Sequence, residues 1–293
     1  MINEFTAIVR AREFVRRATI DSIPIDLNRY LSVIKARCEV RYDLDDEEAG
    51  QTTRIAGRHC IVVNGRHSLE RQRFTILHES AHIELELPSV HGQRIETSAL
   101  LSYTGRPQEE ILCDVFAAEC LLPSDFLKRD VDRCPVGFDS IASLAARYEA
   151  SLTSTGSRFA LLHEEPCAFV LAEAGLIRYV SSSKLMREWG CWIKIGMPIP
   201  PGSVAQKVRA GHIVNGPVEV DPGLWLESQR YRGTVLLEEA RFLSQWDQVL
   251  SLLWFETNDD DLGYDEFEDM DDDRYGLKEL DGILPWPSKK RRR

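Results

Sequence analysis

The chain has no C-x-x-C pair, although seven of its 293 residues are cysteine. The seven are odd in number and scattered from Cys38 to Cys191. This argues against a disulfide framework and reads as reduced thiols in a cytosolic protein. Met1-Ile2-Asn3-Glu4 does not begin a basic-then-apolar leader, and no stretch approaches 18 apolar residues. The expected location is therefore the cytoplasm, with no membrane span. Positive charge is also in short supply. Thirty-six Lys and Arg against 47 Asp and Glu leave a net charge of −11. Because phosphate contacts dominate nucleic-acid affinity, strong binding through a general positive field is not expected. Much of the acidic excess is local, with ten acids in the fifteen residues Asp259 to Asp273. A calcium loop does not fit there, since Gly263 at the turn position puts Leu262 where a ligand belongs. The stretch reads as a solvated acidic tail. The short basic run Lys289 to Arg293 reads as folding back on it rather than touching nucleic acid.

What is present is concentrated in His78-Glu79-Ser80-Ala81-His82, an H-E-x-x-H pattern. Helical residues four apart lie one above the other, so both imidazoles can reach one metal ion. Glu79 projects beside them as the candidate general base for a metal-bound water. Zinc suits this set, because neutral imidazole binds it well and hydrolysis needs no redox change. Three fixed positions also arise by chance, so the flanks carry weight. Phe74, Leu77, Ala81 and Leu85 repeat at helical spacing, giving an amphipathic helix that Pro88 ends. A catalytic zinc takes a third protein ligand and keeps one position for water. The run Gln108 to Pro123 reads as a second helix, on which Glu110 and Asp114 share a face. Glu110 is the candidate third ligand. Asp114 would accept the other N–H of a ligand histidine and orient it. Glu109 and Glu119 read as solvated acids of the same helix. Val115, Ala118, Leu121 and Leu122 place the surroundings of Asp114 in the core.

Several stretches in order resemble the ImmA/IrrE family of zinc metallopeptidases over roughly the first 160 residues. Ile23-Pro24-Ile25-Asp26-Leu27 is similar to the family's P-V-D-L entry into a helix. His59 to Asn64 resembles its I-x-I-N edge strand, and Arg71 to Glu79 its R-x-R-F-T-I-A-H-E helix. Glu110 to Pro123 resembles E-x-x-A-N-x-F-A-A-E-L-L-M-P. The departures are Cys113 in place of a frequent Ala, Asp114 at an Asn-or-Asp position, and Ser80-Ala81 in place of Leu-Gly. None removes a ligand. The resemblance implies a gluzincin-like centre with one zinc per chain on His78, His82 and Glu110, and with Glu79 as catalytic base.

The expected architecture is α+β: a zincin-like domain of helices with a small sheet, a short helix-turn-helix-like segment, and a smaller α/β domain resembling a sensor module. The divisions are 1–137, 138–162 and 163–256, with 257–293 as the tail. Residues 4–17 read as a helix, and a second helix follows with Asp26 as N-cap. A strand runs from Cys38 to Tyr42, and residues 54–59 turn into another over Cys60 to Val63. Residues 88–107 read as a loop near the site. Within it Tyr103 is a weak candidate for polarising a scissile carbonyl, and His91 reads as a solvent-exposed side chain. Residues 138–162 resemble two helices of a helix-turn-helix. The second offers only Arg158 and is weakened by Gly156, so the unit reads as structural or partner-docking rather than DNA-reading. Ala168–Ala172 and Leu176–Val180 form a hairpin about Glu173-Ala174-Gly175, and Val235-Leu236-Leu237 is a candidate strand. Trp189, Trp192, Trp225 and Trp246 read as ordinary core or surface aromatics.

Two functions remain in view. One is a zinc-dependent endopeptidase. By the resemblance its substrate would be a helix-turn-helix transcriptional repressor, cut to switch on stress, mobile-element or phage genes. The other is a non-catalytic peptidase-like module that binds a partner protein. The intact Glu79 favours the first, because a binding module needs no base beside its histidines.

Overall fold

The computed structural model describes residues 2–88, 107–227 and 235–256. Helix α1 (Glu4–Arg17) is capped by Asn3, which accepts from the Thr6 N–H, and buries Ala7, Ala11 and Phe14 along one stripe. Helix α2 (Leu27–Val33) is capped by Asp26, which accepts from the Asn28 N–H as the sequence implied. Three strands follow: β1 (Arg37–Arg41), β2 (Gly50–Ile55) and β3 (Arg58–Asn64), in the order β1-β3-β2. β1 runs parallel to β3 and β2 antiparallel to it. Ala56 and Gly57 both have positive φ, the pairing a two-residue hairpin turn needs. The turn is thus shorter than the one expected over 54–59. Strand β2 went unread because Gln51, Thr52, Thr53 and Arg54 are polar on both faces.

Helix α3 (Leu69–Glu84) carries the H-E-x-x-H residues. Ser68 caps it by accepting from the Arg71 N–H. The helix is not amphipathic. Arg73 and every residue from Thr75 to His82 are buried, while Phe74 is only half-buried. The reason is its position. The first sheet packs on one side and helix α4 (Gln108–Leu121) on the other, so polar residues on both faces lie inside the protein. It stops before Leu85, and Glu86 takes a positive φ ahead of Pro88.

Helices α5 (Ser124–Val131), α6 (Phe138–Tyr148) and α7 (Leu152–Leu162) lead into a five-stranded antiparallel sheet. Its strands are β4 (Cys167–Glu173), β5 (Leu176–Ser182), β6 (Val218–Val220), β7 (Leu236–Leu243) and β8 (Gln248–Phe255), in the order β5-β4-β8-β7-β6. The expected hairpin is β4–β5, turned by Ala174 and Gly175, both at positive φ. The two faces of β4 serve two cores. Cys167, Phe169 and Leu171 join a core that continues through α7 and α6 to α1, α3 and α4. Ala168, Val170 and Ala172 join a second core beneath the short helices α8 (Lys184–Glu188) and α9 (Val204–Arg209). A strand buried on both faces reads as an unbroken apolar run, and Cys167-Ala168-Phe169-Val170-Leu171-Ala172 is one.

Gly156, which lowers helix propensity in α7, has a packing reason. A Cβ there would lie 2.3 Å from the Phe169 ring. Helix α7 is held to the sheet by contacts from Ser157 to the Tyr179 hydroxyl and from the Ser181 hydroxyl to the Ser157 carbonyl. Trp189 and Trp225 are buried, whereas Trp192 and Trp246 are about half exposed. Among the described residues no helix is long and apolar enough to cross a membrane. Tyr103, His91, the acidic stretch and the basic run at the C-terminus lie outside the described residues.

Candidate metal centre

Helices α3 and α4 pack against each other and bring the candidate ligands to one buried point. His78 and His82 face Glu110, and one ligand atom from each lies within 4.8 Å of the other two. His78 Nε2 is 3.2 Å from His82 Nε2 and 3.0 Å from Glu110 Oε2. His82 Nε2 is 3.5 Å from Glu110 Oε1. Donors about 2.0–2.1 Å from a tetrahedral zinc lie roughly 3.3 Å from one another, so these spacings match a zinc ligand set without rearrangement. Glu110 Oε1 is buried and, among the described residues, accepts no well-formed hydrogen bond, His82 Nε2 at 3.5 Å being its neighbour. An anionic oxygen in that state is costly unless a cation faces it. The residues present therefore fit a divalent ion.

The electrostatics point the same way. Burial by itself pushes the His78 imidazole down, but its hydrogen bonds to Asp114 and Glu110 outweigh that and carry it up to about 10. Burial pushes Glu110 up, and its contacts with His78 and His82 reverse this, holding the carboxyl well below its usual range. A cation bound here would displace the proton that His78 Nε2 shares with Glu110, because a ligating histidine must be neutral. The exposures of His78, Glu79, His82 and Glu110 are all 7% or less. Four such groups clustered in the core of a helix pair are uncommon outside functional sites.

Asp114 lies one turn along α4 from Glu110. Its Oδ1 is 2.8 Å from His78 Nδ1, which leaves Nε2 directed at the ligand set. Glu79 sits next to His78 on α3, and its Oε2 accepts from the Thr52 hydroxyl at 2.7 Å. Thr52 was not anticipated. It lies 27 residues earlier on β2, and nothing in the local pattern marks it. The buried Ser80, at one of the variable positions of the motif, donates to the Ile76 carbonyl one turn back and so needs no partner elsewhere.

One expectation is overturned. Glu119 is not a solvated acid: it is 1% exposed. Its Oε1 accepts from Arg12 Nε, from the Ser124 N–H and from the Ser124 hydroxyl. Its Oε2 accepts from Arg158 Nη2 at 2.7 Å. The physical reason is the helix geometry. Nine residues separate Glu110 from Glu119, two and a half turns, so Glu119 faces away from the candidate ligands into the α1–α5–α7 junction. A signal was available, since Ala117-Ala118 precede Glu119 and Cys120-Leu121-Leu122 follow it. An acid inside an apolar run is buried and paired more often than solvated. The same pair removes Arg158 from any DNA-reading role, because its guanidinium is committed to Glu119, Leu122 and Ser124. Glu109, the other acid expected to be solvated, is half-buried.

Comparison with known proteins adds the family. Residues 36–160 match the M78 peptidase model, described as the IrrE N-terminal-like domain. The matched span runs from the residue before β1 through α7 and contains the whole His78–His82–Glu110 cluster. No curated protein sequence is significantly similar to this chain. A solved structure described as a Mycobacterium tuberculosis transcriptional regulator superposes with a TM-score of 0.54 at 11% identity, covering 86% of this chain and 76% of that one. At that identity the likeness is one of fold: the mixed α+β arrangement is shared well beyond the matched domain. The segment of residues 36–160, which holds the buried histidine–glutamate cluster, is thus similar to the IrrE N-terminal-like domain of the M78 peptidases.

Proposed function

We propose that this chain is a zinc-dependent endopeptidase with one zinc per molecule, held by His78, His82 and Glu110. The observation that carries the reading is the convergence of two imidazole nitrogens and a carboxylate within 4.8 Å, beside a glutamate whose carboxylate is anchored by Thr52. Bound there, zinc would polarise the scissile carbonyl and lower the pKa of its water to about 7. Glu79 acts as general base, takes the proton released on attack and passes it to the departing amine. The Thr52 hydroxyl holds one oxygen of that carboxylate and so restricts its rotamers. Asp114 fixes the tautomer and plane of His78. The burial of all four groups excludes bulk water and strengthens each electrostatic contact.

The substrate we propose is a helix-turn-helix transcriptional repressor, cleaved to release the genes it silences. The support is the match of residues 36–160 to a peptidase domain together with the shared fold of a protein described as a transcriptional regulator. The test uses the small repressor encoded beside this chain's reading frame, if one is found there, with elemental analysis run in parallel. Wild type should hold one zinc and cut the repressor. Glu79→Gln should keep the zinc and lose cleavage, since the amide is nearly isosteric and cannot accept the proton. Cleavage at the original rate by Glu79→Gln would remove the general-base role. Full metal content in a His78→Ala/His82→Ala variant would remove the ligand assignment.

A further inference from the structure

One end of the first sheet gathers cations on all three strands. Lys35 and Arg37 lead into and open β1, Arg54 lies near the end of β2, and Arg58 and His59 open β3. In the register Arg37 lies opposite Cys60, Arg54 opposite His59, and Ile55 opposite Arg58. Arg54 and His59 are direct cross-strand neighbours on one face of the sheet, and Arg37 and Arg58 alternate to the other face at the same strand end. Arg54 Nη2 is 3.3 Å from His59 Nε2. Burial and the Arg54 charge lower the pKa of His59, which leaves Lys35, Arg37, Arg54 and Arg58 to supply the charge at neutral pH.

Arg29, Arg41, Arg66 and Arg73 each face a carboxylate. Among the described residues, none of the four cations at the sheet end forms an ion pair, although the chain as a whole carries 47 acids against 36 bases. Like charges gathered without partners repel one another. Beside them is a cleft of about 580 Å³ whose floor is Leu31, Ile34 and Ala36 and whose rim carries Lys35, Arg37, Arg58 and His59. Ile55, 60% exposed, adds apolar surface next to Arg58.

We propose that this cleft docks an acidic segment of a partner protein, with apolar side chains on its aliphatic floor and carboxylates on the Lys35, Arg37 and Arg58 rim. Both halves of the chemistry are needed to account for the site. A bare anion would have no use for the aliphatic floor. A nucleic acid would call for stacking aromatics or a helix presented to a groove, and would meet the net negative charge of the chain. Arginine-rimmed apolar surface is the usual composition of protein-binding patches. Binding itself needs no turnover, so this proposal stands or falls apart from the peptidase reading.

The test is fluorescence anisotropy on the full-length chain at low ionic strength, with a short labelled peptide of Glu, Asp, Leu and Phe as the probe. The combined Lys35→Gln, Arg37→Gln and Arg58→Gln variant should bind it about tenfold more weakly or worse. All three side chains are exposed, so thermal unfolding should confirm that this variant folds as wild type does. On wild-type protein, replacing Leu and Phe in the peptide by Ser should also weaken binding, and added salt should weaken it further. Glu79→Gln should bind as wild type does, even if no cleavage is ever found. Three results would overturn the proposal: no binding by wild type, equal binding by the peptide without Leu and Phe, or tighter binding of a duplex DNA through the same three residues.

Discussion

Replacing Glu119 with alanine should unsettle the protein without touching the His78–His82–Glu110 cluster. The wild-type carboxylate accepts from Arg12 Nε, the Ser124 N–H and hydroxyl, and Arg158 Nη2. It is 1% exposed, and the Arg158 side chain is about a tenth exposed. Removing one partner of a buried ion pair costs about 3–5 kcal/mol, because the remaining charge is left uncompensated. The first N–H of α5 also loses its acceptor, although that loss is partly contained in the same figure. Arg12, whose side chain is 54% exposed, is solvated and should add little. In a folded unit of this size 1 kcal/mol moves the melting temperature by about 2–4 °C, so Glu119→Ala should lower Tm by roughly 6–20 °C. Circular dichroism melts of the zinc-loaded and metal-stripped proteins would measure it. Zinc affinity at a temperature where both proteins are folded should be unchanged, because Glu119 lies across the helix from Glu110. An Arg158→Met/Glu119→Ala double variant should recover part of the loss, since no charge is then left buried. A Tm within 2 °C of wild type for Glu119→Ala, in the same melts, would refute the reasoning and return Glu119 to the solvated face.

Other outcomes follow from the same contacts. Asp114→Ala should weaken zinc binding about ten- to a hundredfold by releasing His78 Nδ1, whereas Glu109→Ala should not, and equal affinities in a competitive zinc titration would mean that Asp114 does not orient His78. Gly156→Ala should cost about 1–3 kcal/mol, because its Cβ would meet the Phe169 ring at 2.3 Å, and pairing it with Phe169→Leu should restore much of the loss in urea unfolding. Burial pushes the thiols of Cys38 and Cys191 up to about 11 from an ordinary value near 9. The folded state thus favours the neutral thiols, and this contribution to stability is fully present below about pH 9 and is lost as pH rises through about 11. A urea midpoint that stays level between pH 9 and 11 would contradict that.

Much of this protein could be read from residues near one another in the chain, because helix periodicity, capping and tight turns are set by local geometry. His78 and His82 share a helix face by spacing alone. Asp26 and Ser151 cap their helices as side chains of their type do, and Ala174-Gly175 turns the β4–β5 hairpin at positive φ. Glu110 and Asp114 were visible as a pair four apart on one helix. The tertiary structure decided which long-range partners those elements met. That Thr52 reaches Glu79 depends on an edge strand too polar to show alternation, and the partners are 27 residues apart. That α3 is buried nearly all round depends on being enclosed by a sheet and a helix, so its polar positions are interior ones that a hydrophobic pattern assigns to solvent. Arg158 and Glu119 become a buried pair, and Gly156 a requirement, only when α7 lies between α4 and β4. Side-chain spacing determines what a segment can present. Whether a charge ends in water or in the core depends on what packs over it, which only the folded chain settles.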